Sequence, residues 1–309
     1  MRRGGVAPFA SVLALVLVAA LAGACSQDAA PPPRDARRPP VVVASFDFPE
    51  SELLAELYGQ ALRGRGYPVE LVARLGTREV VEPALEQGKV DLVPEYLGTA
   101  LDFLEAAHTA TSDAAATHAR LRQAFAARGV TVQALAPAQD RNGFVVTGDL
   151  ARRRGLERIS DLLPLAGGLS FGGPPECPER PLCLKGLRDR YGLRFARFVA
   201  MPSRQVTAAA LKTREIDVGM IETTDASLIG QDLVELHDDK RLQPAENVVP
   251  VVRRQVLEAY GPSLGRLLDA VSAELTTAGL TELNREMVVE QQPAGQVAAR
   301  WLRAHPVPD

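Results

Sequence analysis

The chain has little of what metal, redox or nucleic-acid chemistry requires. Only three cysteines and four histidines occur in 309 residues. His108, His118, His237 and His305 show no ligand-type spacing, which argues against a metal site. Charge of one sign is not concentrated anywhere: 35 Lys+Arg face 38 Asp+Glu for a net charge of −3, with no basic stripe. Nucleic acid is therefore a poor partner. No zinc-protease helix, phosphate loop or dinucleotide fingerprint appears, and nothing calls for a cofactor. One catalytic pattern exists on paper, "GLSFG" at 168–172, with Ser170 in the nucleophile position. A nucleophile elbow needs a helix to begin directly after the serine. Here Gly173-Pro174-Pro175 follows, and paired prolines forbid an immediate helix. Ser170 is expected in a strand. An exported serine hydrolase is kept as the alternative from another class, and a fluorophosphonate probe would reveal it.

A single long uncharged run is present, from Gly4 to Cys25 after Met-Arg-Arg. Its charged start, apolar middle and small-residue exit are those of a secretory signal over 1–24, with a membrane anchor helix as the rival reading. The exit "LAGAC" resembles a bacterial lipobox, so Cys25 is expected to be diacylated. The following "SQDAAPPPRDARRPP" is a polar, proline-rich tether over 25–40 that cannot build a core. With Arg2 and Arg3 removed in the leader, 33 basic residues face 38 acidic ones, a net charge of −5. Export also bears on Cys177 and Cys183 in "PPECPERPLCLKG", which are expected to form a local disulfide in an oxidising compartment. About 270 ordered residues suit two domains of ordinary size.

From Val41 the pattern alternates strand and helix. "VVVASF" is a short continuous apolar run, as in a strand buried on both faces. "ESELLAELYGQALRGRG" is an amphipathic helix, "PVELVARL" a strand, "TREVVEPALEQGK" a helix that Pro83 should kink or shorten, and "VDLVPEYL" a strand ending at proline. The rhythm recurs through "LSFGG", "LKGLRDRYGL", "RFARFVAM", "SRQVTAAALKTREI" and "DVGMIE". Two α/β lobes with largely parallel sheets are expected. Residues 41–136 plus 243–309 make lobe 1 and 137–242 make lobe 2, since the C-terminal helices return to the first lobe without new strands. Two crossings, near "ALAPAQDRNG" and "HDDKRLQPAENV", form a hinge, and the crevice beside it is where such a pair binds ligand.

The segment "GTREVVEPALEQGKVDLVPEYLGTAL" places helix starts on both sides of one short strand. Helix starts carry unpaired N–H groups and partial positive charge, so two of them opening into one crevice suit a small ligand. Thr77, Thr99 and the Thr223-Thr224-Asp225 turn all stand at such openings. Plain helix capping accounts better for any one of them alone; the joint pattern, three openings at the C-terminal ends of strands, is what points to a site. Tyr96 and Phe48 lie at strand ends, where an aromatic serves either core or ligand.

Four segments, "ASFDFPESELLAELYGQAL", the stretch just quoted, "LSFGGPPECPERPLCLKGLRDRYGL" and "ETTDASLIGQDLVELHDDK", carry a resemblance. They look like the substrate-binding proteins of glycine betaine/choline (osmoprotectant) ABC importers, and the likeness runs from Val41 to about Arg303. The resemblance implies a type II periplasmic-binding-protein fold: two α/β lobes, a two-stranded hinge, and a cleft that closes on ligand. It also implies an extracytoplasmic, monomeric protein on the outer face of the bacterial membrane, partnered by a permease and an ATPase. The ligand would be a small osmolyte such as glycine betaine, caged by aromatic faces. The implied ligand set is Phe46, Phe48, Glu50, Ser51, Thr77, Arg78, Tyr96, Thr99, Asn142, Glu222, Thr223, Thr224 and Asp225, with Phe144 as a possible further ring. Three departures stand out. Ser51 replaces a family Gln, Gly76-Thr77-Arg78 replaces Gly-Ser-Thr, and Ile221-Glu222 stands where an aromatic can occur. A thinner cage with an added Arg and Glu suits a different small polar, aromatic or more extended ligand. A sensor or choline-responsive module without a transporter shares all of these features.

Overall fold

The structure is a computed structural model that describes residues 38–105, 109–230 and 232–307. The signal, Cys25 and most of the tether, as well as His108, lie outside the described residues. Among the described residues, no helix is long and apolar enough to cross a membrane, and no group of three or more His, Cys, Asp or Glu could hold a metal.

Ten strands form two five-stranded sheets. They are β1 (Val41–Phe46), β2 (Val69–Gly76), β3 (Leu92–Tyr96), β4 (Val130–Val132), β5 (Asn142–Thr147), β6 (Ser170–Gly173), β7 (Arg197–Ala200), β8 (Val218–Glu222), β9 (Leu233–Glu235) and β10 (Val248–Arg253). The first sheet has the order β2-β1-β3-β10-β4 and the second β7-β6-β8-β5-β9. Eleven α-helices lie among the described residues: α1 (Pro49–Gly64), α2 (Arg78–Glu86), α3 (Leu97–Glu105), α4 (Ala114–Ala126), α5 (Gly148–Arg154), α6 (Leu184–Gly186), α7 (Arg204–Lys212), α8 (Arg254–Tyr260), α9 (Pro262–Glu274), α10 (Thr277–Val288) and α11 (Ala294–Ala304).

The reasons are local. β1 is buried along nearly its whole length because helices cover both faces of a central strand. α1 begins with Pro49 at its first position, where no N–H is missed, and carries Glu50 and Glu52 at its positive end. Leu53, Leu54, Leu57, Tyr58 and Leu62 recur at helical spacing and are fully buried. The C-terminal helices close over this face, and the Tyr58 hydroxyl lies 2.9 Å from Ser272 Oγ on α9. One apolar core joins residues 41–138 to 245–301, while two smaller clusters fill the second sheet between Phe144 and Leu242.

The sheets are mixed rather than largely parallel. β1–β2, β1–β3, β6–β7 and β6–β8 run parallel, but β10 runs antiparallel to β3 and β4, and β5 to β8 and β9. β5 and β10 are the strands that directly follow a crossing between the sheets. They enter from the hinge side, without a crossover helix, so no rule makes them parallel. The crossings pair with each other through the antiparallel bridge Gln139–Asn247, and Asp140 N donates to Glu246 O at 3.1 Å.

One proline expectation changes. β3 does not stop at Pro94 but runs through it to Tyr96, and Pro94 faces Pro250 across the ladder. α2 starts at Arg78 and holds Pro83 inside nine residues. Pro250 lies mid-strand in β10, accepting from Gln133 N at 2.9 Å but with no N–H to return. His118 Nε2 lies 2.8 Å from the Gln133 carbonyl and takes that place. "LKGLRDRYGL" is also shorter than expected, a single turn of α6 followed by a π-type turn, Leu187–Tyr191.

Candidate ligand site between the lobes

A cavity of about 540 Å³ opens where the ends of β3 and β8 meet the hinge. Lobe 1 contributes Phe48, Glu50, Arg78, Tyr96, Thr99, Glu246 and Asn284 to its wall, and the crossing and lobe 2 contribute Asp140, Arg141, Asn142, Arg204, Glu222, Thr224 and Asp225.

Glu50 is at its centre. It belongs to the first turn of α1, is 7% exposed, and accepts the Tyr96 hydroxyl on Oε1 at 2.7 Å and Asn284 Nδ2 on Oε2 at 2.5 Å. Burial raises its pKa, against the pull of its Thr224, Tyr96 and Asn284 hydrogen bonds. Asn284 Nδ2 also donates to the Thr224 carbonyl at 2.9 Å, so one amide on α10 ties the α1 carboxylate to the turn after β8. Asp140, on the first crossing, is likewise pushed well up, by burial and then by the Glu50 and Glu222 charges. The Phe48 and Tyr96 rings lie 6.0 Å apart at 34°, with Phe46 stacked behind Phe48 at 6.1 Å.

Arg78 reaches this cavity, but its charge is already matched. Its Nε and Nη2 grip both oxygens of fully buried Glu95 at 2.7 and 2.8 Å, and its Cζ lies 4.7 Å over the Phe46 ring. Thr99 is matched as well. Glu246 Oε2 accepts from the Gly98 and Thr99 amides at 3.0 and 3.1 Å, and Oε1 accepts the Thr99 hydroxyl at 2.7 Å. The start of α3 thus holds the chain's own carboxylate rather than an open anion seat. Glycine at 98 permits the approach, since a Cβ there would sit 2.9 Å from the Ala245 carbonyl. Burial pushes Glu246 up to about 7.

The other expected residues divide. Asn142 and Glu222 line the cavity; Asn142 Nδ2 donates to Gln243 Oε1 at 3.2 Å, and Glu222 pairs with Arg204. Thr224 and Asp225 line it too, with Asp225 capping a single 3₁₀ turn, Ala226–Leu228. Phe46, Ser51, Thr77, Thr223 and Phe144 do not line it. Ser51 Oγ accepts from Phe46 N at 2.9 Å, holding β1 to α1. Thr77 is the N-cap of α2 without a side-chain cap bond. Thr223 Oγ1 donates to the Gln139 carbonyl and accepts from Arg141 N, both at 3.0 Å, and so fastens the crossing. Phe144 is buried in the lobe 2 core.

Sequence reasoning missed Asp140, Arg141, Arg204, Gln243, Glu246 and Asn284. The signal that could have found the hinge residues was charge: "QDRNG" and "PAEN" put Asp, Arg and Glu at the two crossings. Within the cavity wall, Asp140 Oδ1, Arg141 Nε and Asn284 Oδ1 are buried with no hydrogen-bond partner among the described residues. Unused polar atoms converging on one cavity are what a ligand would satisfy.

Ser170 opens β6, is 6% exposed, and donates its hydroxyl to Asp217 Oδ2 at 2.7 Å. The strand continues to Gly173, so no helix begins at the serine. Cys177 and Cys183 are bridged, with Cα atoms 5.3 Å apart.

Residues 39–304 match the family model described as the substrate-binding domain of ABC-type glycine betaine transport systems. The chain belongs to this family. It is 31% identical over 270 residues to a glycine-betaine-binding protein of Pseudomonas aeruginosa, covering 84% of this chain and 85% of the relative. It is 30% identical over 275 residues to glycine betaine-binding protein YehZ of Escherichia coli strain K12, covering 85% and 90%. A solved glycine betaine/carnitine/choline ABC transporter structure superposes with a TM-score of 0.79 at 24% identity, over 86% of this chain and 98% of that one. The fold is accordingly the two-lobed periplasmic-binding type, and the family is one of extracytoplasmic solute-binding proteins rather than enzymes.

Proposed function

We infer that this protein captures a small quaternary-ammonium osmolyte, such as glycine betaine, between lobe 1 (41–136 plus 243–309) and lobe 2 (137–242), and delivers it to an ABC permease and its ATPase. The observation that carries the reading is the pairing of the Phe48 and Tyr96 rings around buried Glu50, facing Arg141 with its unpartnered Nε across the hinge. Ring faces and carboxylates attract an ammonium head, and a guanidinium receives a carboxylate. Arg141, 3.6 Å from Glu235, is the guanidinium offered here, because the charge of Arg78 is already neutralised by Glu95. The protein acts as a monomer held to the outer face of the membrane by a diacylated Cys25.

Calorimetry on the mature domain with glycine betaine, choline and carnitine tests the ligand, and small-angle scattering with and without it tests closure. A ligand at 100 times its dissociation constant adds about 2.7 kcal/mol of stability, so a thermal-shift screen makes the first cut. Failure of every such osmolyte to bind overturns the reading. Labelling with a fatty-acid analogue, lost in Cys25→Ala, tests the anchor.

A further inference from the structure

The interlobe cavity holds more negative charge than its own guanidinium groups offset. Arg204 at the start of α7 pairs with Glu222, Arg78 with Glu95, and Arg141 with Glu235 of β9. Among the described residues no cation pairs with Glu50 or Asp140, although both line the wall. The wall's other carboxyls are already engaged: Asp225 caps its 3₁₀ turn, and Glu246 is taken up by the start of α3. Glu50 and Asp140 share one neighbour, the Thr224 side chain, which is within hydrogen-bonding reach of each. A hydroxyl has a single hydrogen, so it donates to one carboxylate and meets the other only by accepting from a protonated acid. Glu50 is the one already supplied with donors, by the Tyr96 hydroxyl on Oε1 and Asn284 Nδ2 on Oε2. Asp140 Oδ1 has no partner among the described residues. Of the pair, Asp140 is therefore the one that carries a proton in the empty cavity. Burial and then the Glu50 and Glu222 charges act in the same direction, raising its pKa well above the ordinary carboxylate range against the pull of Thr224 and Arg204. After burial and Glu50, the Asp140 charge also raises the Tyr96 phenol, so Asp140 belongs to the same end of the cavity as that ring.

We propose that Asp140 is the counter-charge that the ligand recruits: it holds a proton while the cavity is empty and releases it to solvent when a cationic head arrives. The place of that head, beside Phe48 and Tyr96, rests on the functional reading above. One O–H bond breaks, the proton passes to water, and the carboxylate left behind faces the ligand's positive charge. Capture is then an exchange of one cation for another. Because binding releases a proton, affinity rises with pH. A neutral ligand of the same shape gains nothing from the exchange, so Asp140 also selects for charge.

Calorimetry of glycine betaine binding to the mature protein, in phosphate and in Tris at neutral pH, tests this. The two buffers differ in ionisation enthalpy, and the ligand has no proton of its own to lose. The difference in heat should report close to one proton released per ligand bound. The dissociation constant should fall by up to about tenfold per pH unit between about pH 5.5 and about pH 7.5. Asp140→Asn, which stays neutral, should abolish the release and flatten the pH dependence. If that variant does not fold, infrared difference spectra of the parent decide instead. Adding ligand should remove the carbonyl band of a protonated carboxyl, and isotope-labelled aspartate should shift that band, which separates Asp140 from Glu50 and Glu246. Binding without proton release, release that persists in Asp140→Asn, or a lost band that labelled aspartate does not shift overturns the assignment and leaves the osmolyte reading standing. If neither glycine betaine nor choline binds, the osmolyte reading falls and takes this assignment with it.

Discussion

Tyr96, the last residue of β3, donates its hydroxyl to Glu50 Oε1 at 2.7 Å, and both side chains are buried beneath the cavity they line. The ring and the hydroxyl thus serve different ends. Tyr96→Phe keeps the ring face but leaves a buried carboxylate one donor short, at about 1–3 kcal/mol of stability. Tyr96→Ala loses the face as well and should weaken binding of a quaternary ammonium by roughly a further 1–3 kcal/mol. Tyr96 is only 6% exposed, so its removal also costs packing, unlike a rim residue. Denaturant unfolding and calorimetry on the two variants separate the contributions, and equal binding losses would argue against cation–ring contact.

Arg78→Ala should act on stability before selectivity. Its bidentate partner Glu95 is fully buried and would be left as an unpaired charge, at about 3–5 kcal/mol. Selectivity between choline and betaine should move little, because the guanidinium is neutralised in place. A variant with an unchanged denaturation midpoint and altered ligand preference would contradict this.

Arg78 also shows where the sequence stopped being informative. Its place at a helix start beside the cleft was legible from the turn residues and the helical period that follows. Its partner was not, because Glu95 lies 17 residues on, on a neighbouring strand, and only the sheet register brings them together. The same distinction holds elsewhere. β1 and α1 announce themselves through a continuous apolar run and a regular apolar face. β10 hides because Pro250 interrupts it, and the contact that occupies the Gln133 carbonyl opposite comes from His118, far away in sequence. β4 and β9 are three residues each, too short for any period to register. The hinge residues Asp140, Arg141 and Glu246 lay in stretches legible only as connections, since crossing strands carry no apolar alternation.

Stability should fall as pH rises from about 5 towards 8. Burial, and then the adjacent Glu95 charge, push Glu82 up to about 10, and burial pushes Glu246 up to about 7, against ordinary values of 4.5. A carboxyl raised on folding binds its proton more tightly in the native state. Its stabilisation is complete below the unfolded pKa and is lost as pH climbs through the folded one. For Glu246 that window runs from about 4.5 to about 7 and spans at most on the order of 3 kcal/mol. Unfolding curves at stepped pH should show this slope, and Glu246→Gln, which keeps an acceptor for the α3 amides, should flatten it. Rising stability across this range would overturn the assignment.

Reducing the Cys177–Cys183 bridge should cost roughly 2 kcal/mol through the entropy of a short loop, with lobe 1 unaffected. Hydrogen exchange with and without reductant would show the loss confined to 170–222. Two free thiols found by alkylation without reductant would show that the bridge does not form.

Asn284 offers a separate handle on the two lobes. Its Nδ2 is the single donor for both Glu50 Oε2 on α1 and the Thr224 carbonyl beyond β8, so it joins lobe 1 to the turn that lines the opposite wall. The nearby Thr281 hydroxyl reaches the Thr223 carbonyl only at 3.4 Å, a weak second tie. Asn284→Ala therefore removes the stronger link between α10 and that turn while leaving each lobe's sheet intact. It also strips one hydrogen bond from Glu50, which shifts that carboxyl further towards its protonated form. Both effects disfavour a closed complex with a cation, and together they should weaken osmolyte binding by about tenfold or more. Asn284→Asp removes the same donor and adds a second carboxylate beside Glu50, so it should be worse than alanine at neutral pH. Scattering of the unliganded Ala variant should give a larger radius of gyration than the parent. An unchanged radius with unchanged affinity would show that α10 does not govern the angle between the lobes.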